Sequence, residues 1–316
     1  MSIVLTLLND NMKFGFHIPF NKSFEKTARD VYKSTYNCFQ IYISGKWRKD
    51  IYDIKDVLKA KHILSLRDVK LFIHGSNRYN LCGLISNTDG NDTMWLCMMN
   101  ELDCAVLLGC SVVLHMGSHR DTKKGIELMC ENVRNVLTKK GEYTSTYAKS
   151  LGITTKEFIS KRRILLENSS HEGNKLGYNL TRLTEIMNQI KDLNVGICID
   201  TCHAFAAGWI NLSTVDCVKK FFKEFDAEIG LHKLELIHFN DSQSNFGSRL
   251  DRHAPITCGK IYGSGDCTDA IKLLLEKCYT NNISLVQEVN PLYAIQIYEI
   301  IAQFVMDTPM NLYKFI

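Results

Sequence analysis

The sequence predicts an α/β protein folded as a single (β/α)8 TIM barrel. Eight short runs rich in β-branched or aromatic residues alternate with longer segments of helical periodicity. Such alternation is typical of parallel βαβ units, and eight of these units close a barrel that commonly takes about 250 residues. Because the chain has 316 residues and no linker-like segment, we expect one domain over 1–316. A doubly wound open sheet is the structural alternative.

The expected strands lie at 13–17, 38–44, 69–74, 111–115, 163–167, 195–200, 234–240 and 283–288. The helices between them carry recognisable end signals. Gly109 follows an apolar helical segment and is a C-terminal glycine cap. Ser213 opens a capping-box variant, and Pro291 suits the first turn of the last helix. Residues 139–161 lack a clean apolar stripe, so we expect a surface insertion there.

The composition is that of a globular protein. Apolar residues make up 45% and charged residues 23% of the chain, which excludes an intrinsically disordered protein. The longest apolar stretch, 104–114, is about half of the roughly 20 residues that span a bilayer, so we expect no membrane segment. The net charge of +4 permits a polyanionic partner without demanding one.

The cysteines and the N-terminus indicate an intracellular protein. Twelve cysteines occur without any Cys-x-x-Cys pair, and the first residues lack a basic region and a cleavage site. We therefore expect reduced, buried thiols and no secretory signal. A cytoplasmic or nuclear location, and a virus-encoded source, both fit the composition.

Seven of the expected strands end in a histidine or a carboxylate. In a parallel barrel these ends share one face, where the βα loops build the active site. A single histidine after an apolar run is usually structural, but seven such endings indicate a common site. The residues are His17, His74, His115, Glu167, Asp200, His238 and Glu288.

Two local clusters point to metal binding. Asp200 and His203 are three residues apart at a strand end, and Asp251 and His253 lie on one side of an extended segment. Carboxylate and imidazole donors suit zinc or manganese in a catalytic site. The neighbouring Cys202 is better explained by packing. So many ligands need several ions, and multi-metal sites are typical of phosphoryl-transfer hydrolases.

At these positions the chain resembles the endonuclease IV family of zinc-dependent apurinic/apyrimidinic (AP) endonucleases. The HMGSH segment at 115–119 is similar to the family's HPGSH, with Met116 in place of proline. The resemblance is weaker before His74 and is interrupted at 139–161. The matching segments are LEN at 166–168, VGICIDTCHAFAAG at 195–208, HFND at 238–241 and FGSRLDRH at 246–253.

The resemblance implies a cluster of three zinc ions, with Mn2+ as a partial substitute left open. It assigns one ion to His74, His115 and Glu167, which bridges to the second. The second ion also takes Asp200, His238 and Glu288, and the third takes His203, Asp251 and His253. Glu167 and Glu288 are the expected catalytic carboxylates, which orient or deprotonate the attacking water.

The activity implied by the resemblance is hydrolysis of the phosphodiester 5′ to an abasic site in duplex DNA, in base excision repair. The products are a 3′-hydroxyl and a 5′-deoxyribose phosphate, and the same site would remove 3′-blocking groups. The partner is damaged double-stranded DNA, and we expect a monomer.

The DNA-contacting loops depart from the family pattern. Gly75 replaces the acidic residue after His74, and the family's intercalating tyrosine falls on Asn77. We therefore assign the wedge to Arg78 or Tyr79.

Further DNA contacts are assigned to Lys46, Arg249 and Arg252, because cations at phosphates supply much of the affinity for DNA. His119 and Asn240, together with His17, are interpreted as residues that support the ligands or contact the backbone.

Two other functions remain open from the sequence. A divalent-metal sugar isomerase or epimerase shares this barrel and also places histidines and carboxylates at strand ends. A non-catalytic DNA-binding homologue is the second alternative. The ligand count argues against the first alternative, and the retained Glu167 and Glu288 argue against the second.

Overall fold

Eight parallel strands close into a barrel, as the sequence predicts. The computed structural model describes residues 12–34, 36–43, 50–83, 93–263 and 265–289. Around the barrel the strands follow the order β1-β10-β7-β6-β5-β4-β3-β2, and a short antiparallel pair, β8-β9, stands apart. The bounds are β1 Phe14–Ile18, β2 Cys38–Ile41, β3 Lys70–His74, β4 Ser111–His115, β5 Ile164–Glu167, β6 Val195–Asp200, β7 Leu234–His238, β8 Asp241–Ser242, β9 His253–Ala254 and β10 Ser284–Gln287.

Helices cover the outside of the barrel. Within the described part of the chain they are α1 Phe24–Lys33, α2 Ile54–Ser65, α3 Thr93–Leu108, α4 Thr122–Thr138, α5 Thr144–Ser150, α6 Thr155–Ser160, α7 Leu180–Gln189, α8 Thr201–Ala206, α9 Val215–Glu228 and α10 Thr268–Thr280. The expected helix after Pro291 lies outside the described residues.

Side-chain caps fix where several helices begin. Ser23, Asp121 and Asn179 each accept a backbone N–H from the first turn of the helix that follows. Helix α9 is capped by Thr214, which accepts from the Cys217 N–H, and not by Ser213 as the capping-box pattern predicted. The prediction was one residue early because two hydroxyl residues adjoin. Gly109 has φ +76°, a conformation that favours glycine, and it ends α3 as expected.

The barrel interior is built from two stacked layers. The lower layer is a fully buried cluster with one side chain from each of seven strands: Cys38, Phe72, Val113, Leu165, Cys198, Leu236 and Val286. On the eighth strand Gly15 takes this place, because a Cβ there would run into the Cys38 carbonyl group. Side chains alternate along a strand, so the residue two positions further on points to the same interior.

The upper layer is therefore polar throughout. Adding two to each lower-layer position gives His17, Gln40, His74, His115, Glu167, Asp200, His238 and Glu288. This layer lies at the carboxyl ends of the strands, where the βα loops begin. The apolar layer closes the barrel beneath it and excludes water from that side.

Residues 139–161 lie largely at the surface, with most positions exposed or half-buried, but a few buried side chains anchor the segment to the barrel. They form α5 and α6, and the aromatic side chains of Tyr147 and Phe158 are fully buried. The Tyr147 hydroxyl donates to Asn100 Oδ1 at 2.7 Å and accepts from the Tyr52 N–H at 2.9 Å. The segment enters β5 at its amino end, so it lies at the opposite end of the barrel from the polar layer.

All twelve cysteines are free thiols in the structure. Most are buried, and burial raises the pKa of Cys38 and Cys198 to about 12. No helix in the described part of the chain is both long enough and apolar enough to cross a membrane.

We expect Arg162→Met to lower the free energy of unfolding by about 3–5 kcal/mol. Arg162 is buried and holds the buried Asp103 carboxylate through Nε and Nη2, at 2.8 and 2.6 Å. Without it, Asp103 keeps a buried charge that lacks its counterion. Urea unfolding measures the change, and Arg134→Met, in the exposed pair with Asp192, should cost less than about 1 kcal/mol. Equal losses in the two variants would show that burial of the pair is unimportant.

Candidate metal centre

A single carboxylate lies at the middle of the polar layer. Glu167 Oε2 is 3.2 Å from His74 Nε2 and 3.5 Å from His115 Nδ1. Glu167 Oε1 is 3.2 Å from His238 Nδ1 and 3.3 Å from His203 Nδ1. The Glu167 side chain has no exposure to solvent. Four imidazoles therefore surround one buried carboxylate, and both of its oxygens are available to bridge two cations.

Donor atoms of the described residues converge in five overlapping groups, and three of these together contain all nine expected ligands. In each group all ligand atoms lie within 4.8 Å of one another. The first group is His74, His115 and Glu167; the second is Glu167, Asp200, His238 and Glu288; the third is His203, Asp251 and His253.

Asp200 brings the second and third groups together. It ends β6 and caps α8, with Oδ1 accepting the His203 N–H at 2.7 Å. This cap turns the chain immediately, so that His203 comes back over the barrel mouth. Asp200 Oδ2 lies 3.8 Å from His238 Nδ1 and 3.5 Å from His253 Nε2.

The third group depends on the loop after β7. Asp251 Oδ2 is 2.9 Å from His203 Nε2, and Asp251 Oδ1 is 3.2 Å from His253 Nε2. Residues 241–242 pair with 253–254, which returns His253 to the barrel mouth. The buried Asp241 carboxylate accepts the N–H groups of Gly259 and Ile261, and so ties the following loop down as well.

Gln40 belongs to the site, and the sequence analysis missed it. Its Nε2 donates to Glu288 Oε1 at 2.8 Å, and its Oε1 accepts from His238 Nε2 at 2.9 Å. Since an amide oxygen only accepts, His238 carries a proton on Nε2 and presents Nδ1 to the second group. The signal in the sequence was its position two residues after Cys38, in register with the other site residues.

The electrostatics keep the central Glu167 carboxylate ionised, whereas burial raises the pKa of Asp200. Burial alone would raise the pKa of Glu167, but the imidazoles of His115 and His238 outweigh it and hold that pKa well below its usual value. Burial would lower the pKa of His253, whereas Asp200 and Asp251 raise it to about 9. Ionised carboxylates facing imidazoles are a donor set that divalent cations can take over from protons.

The residues fit a group of metal ions. Two ligands of one tetrahedral zinc lie about 3.3 Å apart, given bond lengths of roughly 2.0–2.1 Å. Within the first two groups, the donor pairs that include Glu167 and a histidine are separated by 3.2 to 3.5 Å, close to this value. His253 Nε2 is buried and faces the Asp251 and Asp200 carboxylates at 3.2 and 3.5 Å without a well-aligned hydrogen bond to any described residue, so a ligand role would satisfy it. Cys202 also adjoins Asp200 and His253, but burial raises its thiol pKa to about 12, which disfavours the thiolate.

The residues assigned to DNA contacts differ in their exposure to solvent. Arg249 and Arg252 are exposed on the loop that carries Asp251, and Arg78 is exposed after β3. Tyr79 is a correction: its ring is buried and its hydroxyl donates to Glu101 Oε1 at 2.8 Å, so it is not placed to enter a duplex. Lys46 lies outside the described residues.

Asn240 and His119, two of the three residues interpreted as supporting the ligands, differ in their contacts. Asn240 Nδ2 donates to Asp200 Oδ2 at 2.7 Å, and its Oδ1 accepts the Glu288 N–H at 2.9 Å. The His119 ring bonds to the Asp121 backbone at the start of α4 and not to a ligand, which corrects its assignment as a ligand-supporting residue.

The fold and the site define a class of protein. Residues 29–290 match the family described as a xylose isomerase-like TIM barrel, so the chain belongs to that class. Within it, the chain is a member of the endonuclease IV family. A "Probable endonuclease 4" of Cenarchaeum symbiosum is 31% identical over 265 residues, covering 80% of this chain and 86% of the relative. A protein of Acanthamoeba polyphaga mimivirus, also named as an endonuclease 4, is 28% identical over 295 residues, covering 90% and 86%.

Solved structures show the same fold. Endonuclease IV from Thermus thermophilus superposes with a TM-score of 0.72 at 21% identity, covering 94% of this chain and all of that one. A D-tagatose 3-epimerase-like protein gives a TM-score of 0.61 at 18% identity, covering 93% and 97%.

We expect Gln40→Met to weaken retention of a bound divalent metal such as zinc by about 10- to 100-fold, the usual effect of losing a residue that orients metal ligands. Methionine keeps the volume but removes both hydrogen bonds, so Glu288 and His238 lose their fixed orientation. Zinc remaining after dialysis against graded chelator, measured by elemental analysis, gives the change. Gln189→Met, on the exposed end of α7, should retain zinc like the parent protein. Equal retention in both variants would mean that Gln40 only packs.

Proposed function

We propose that the protein is a zinc-dependent AP endonuclease of DNA base excision repair. The observation that carries this proposal is the convergence of nine donors in three groups around Glu167, in a chain of the endonuclease IV family. One chain supplies all nine donors, five imidazoles and four carboxylates, so a monomer suffices for the site.

The charge of the substrate suits this arrangement. When bound, the zinc ions would supply Lewis-acid stabilisation of a phosphodiester and of the water that attacks it. The three ions are assigned to the three donor groups in turn, with Mn2+ as a partial substitute. The carboxylates hold the cations close together, and the buried lower layer keeps water from reaching them from below.

Access to the centre comes from one side. Glu167, Asp200 and His238 have no exposed side-chain surface, whereas the side chains of His115, Asp251 and His253 are 31%, 30% and 21% exposed. A phosphodiester would therefore approach over the first and third groups. Glu288, which is 14% exposed, lies between the buried and open parts of the site.

Glu167 and Glu288 are the proposed catalytic carboxylates. Both face His238 Nδ1, at 3.2 and 3.3 Å. Gln40 holds Glu288 Oε1, which leaves Oε2 to orient the attacking water or accept its proton. Cleavage 5′ to the abasic site would leave a 3′-hydroxyl and a 5′-deoxyribose phosphate, and the same centre would remove blocked 3′ ends.

The exposed arginines flank the centre on two sides. Arg249 and Arg252 adjoin the third group, and Arg78 follows the strand that carries His74. These guanidinium groups are proposed to bind phosphates on either side of the lesion, with Lys46 as a further cation. Arg78 is the remaining wedge residue of the loop after β3, since Tyr79 is buried. The reaction requires DNA, so an intracellular location is part of the proposal.

A sugar epimerase is the second candidate, favoured by the D-tagatose 3-epimerase-like neighbour. That likeness is a likeness of fold, and the three donor groups exceed what a one-metal or two-metal isomerase needs.

Incision of a duplex with one tetrahydrofuran abasic analogue tests the proposal. We expect a single cut 5′ to the lesion and about three zinc ions per chain by elemental analysis. Ketose epimerisation is assayed in parallel. Epimerisation by a protein that holds one or two metal ions per chain and does not cut the duplex would favour the second candidate.

We expect Glu167→Gln and Glu288→Gln to lower kcat for incision at least about 1,000-fold while the fold persists. Each change keeps the shape but removes a carboxylate charge from the centre. Single-turnover incision and circular dichroism measure the two properties. Glu185→Gln, in the partly exposed pair with Arg182, is the matched control and should incise normally. Near-normal turnover of both centre variants would refute the assigned roles.

A further inference from the structure

An aromatic cleft is lined by residues of the segments that follow β6 and β7. It encloses about 260 Å3, and its walls include Trp209, Phe221 and Phe246. The Trp209 and Phe221 rings meet edge to face at 6.1 Å, and Phe246 meets Phe205 in the same way at 5.3 Å. Sites for drug-sized ligands have roughly 300–1,000 Å3, so this cleft suits one small planar group.

The cleft opens on the same face of the barrel as the metal centre. Trp209 follows α8, which begins at the end of β6, and Phe246 follows β7. Phe221 lies in the first half of α9, and Leu180 begins α7. Each of these positions belongs to a βα connection or to the amino-terminal half of the following helix, so all lie towards the carboxyl ends of the strands.

The loop that carries Phe246 is held rigidly to the metal-ligating segment. The N–H groups of Gly247 and Arg249 donate to the Phe205 and Ala206 carbonyls, at 3.1 and 2.8 Å. Gly208 and Gly247 lie so close that a Cβ on Gly208 would be 3.2 Å from the Gly247 Cα. Since α8 also carries His203, the cleft and the third donor group move as one body.

The surface of this loop is suited to unstacked DNA. Phe246 and Leu250 are each 50% exposed, which is unusual for large apolar side chains, and Arg249 lies between them. Aromatic side chains next to cations are the combination on which single-stranded bases stack while their phosphates are neutralised. The same segment continues into Asp251 and His253, so the loop that lines the cleft also supplies two donors of the third group.

We propose that the cleft between Trp209 and Phe246 receives a nucleobase displaced from the duplex beside the cleaved phosphodiester. This rests on the proposed endonuclease function and adds to it a base-stacking subsite. A base next to or opposite an abasic site has lost a stacking or pairing partner, so its displacement costs least there. The subsite would favour lesions over intact duplex without reading sequence, because every base has a π-face.

Photocrosslinking tests the subsite directly. Zinc-loaded full-length protein is irradiated with abasic duplexes that carry 5-iodouracil at single positions opposite or beside the lesion. We expect an adduct on Trp209 or Phe246 from at least one of these positions, mapped by mass spectrometry. Adducts that map only elsewhere would overturn the proposal. If the cleft instead receives an apolar side chain of another protein, no DNA adduct would form on Trp209 or Phe246, and the proposal would likewise be overturned.

Kinetics of variants give a second, independent measure. Phe246→Ala should raise KM for the abasic duplex about 10-fold with kcat within about 2-fold, since stacking on one aromatic ring is worth roughly 1–3 kcal/mol. Phe246→Tyr should restore KM. Tyr32→Ala removes an exposed aromatic ring near the end of α1, away from the centre, and should leave KM unchanged. An unchanged KM in Phe246→Ala and Trp209→Ala would overturn the subsite.

The subsite and the proposed function can fail separately. Normal incision without crosslinks at Trp209 or Phe246 removes the subsite and leaves the endonuclease. Crosslinks at these residues without incision support the DNA subsite and refute the proposed reaction.

Discussion

The buried Glu167 carboxylate is the constraint on which the rest of the site depends. A carboxylate charge without exposure to solvent is costly unless opposite charges surround it. Here His74, His203 and His238, whose pKa values are raised, supply them within 3.3 Å, and the His115 imidazole, whose pKa burial lowers to about 4, lies 3.5 Å away. Those four residues come from β3, β4, α8 and β7, so satisfying one charge fixes four segments of the barrel mouth relative to one another.

Neutral amides set the orientation of the charged groups. Gln40 holds Glu288 and His238, Asn240 holds Asp200, and Asn168 accepts the Asp200 N–H at 2.6 Å while its carbonyl faces His203 Nδ1 at 3.0 Å. Amides add hydrogen bonds without adding charge, so they direct the ligands and leave the balance of carboxylates and imidazoles unchanged. This explains how so many ionisable groups share a small space without an unpaired charge at its centre.

The same scaffold separates rigid from open parts of the molecule. The apolar layer and the anchored segment 139–161 lie towards the amino ends of the strands, and they contribute stability. Exposed cations and apolar side chains concentrate in the loops at the other end, including Arg249 and Phe246. Division of this kind lets the loops differ between relatives while the donor set stays in place.

The sequence by itself determined the eight strands and the barrel, because period-two alternation and residue type are local properties that a linear pattern records. Its resemblance to a known family pointed to nine donor side chains, which the structure brings together. The sequence could not determine the packing of 139–161, the burial of Tyr79 or the place of Gln40. These depend on contacts between residues far apart in the chain, such as Tyr147 with Tyr52, Tyr79 with Glu101, and Gln40 with Glu288. An amide or a tyrosine has the same letter whether it packs, binds or faces water; only the neighbours that the tertiary structure brings to it decide which.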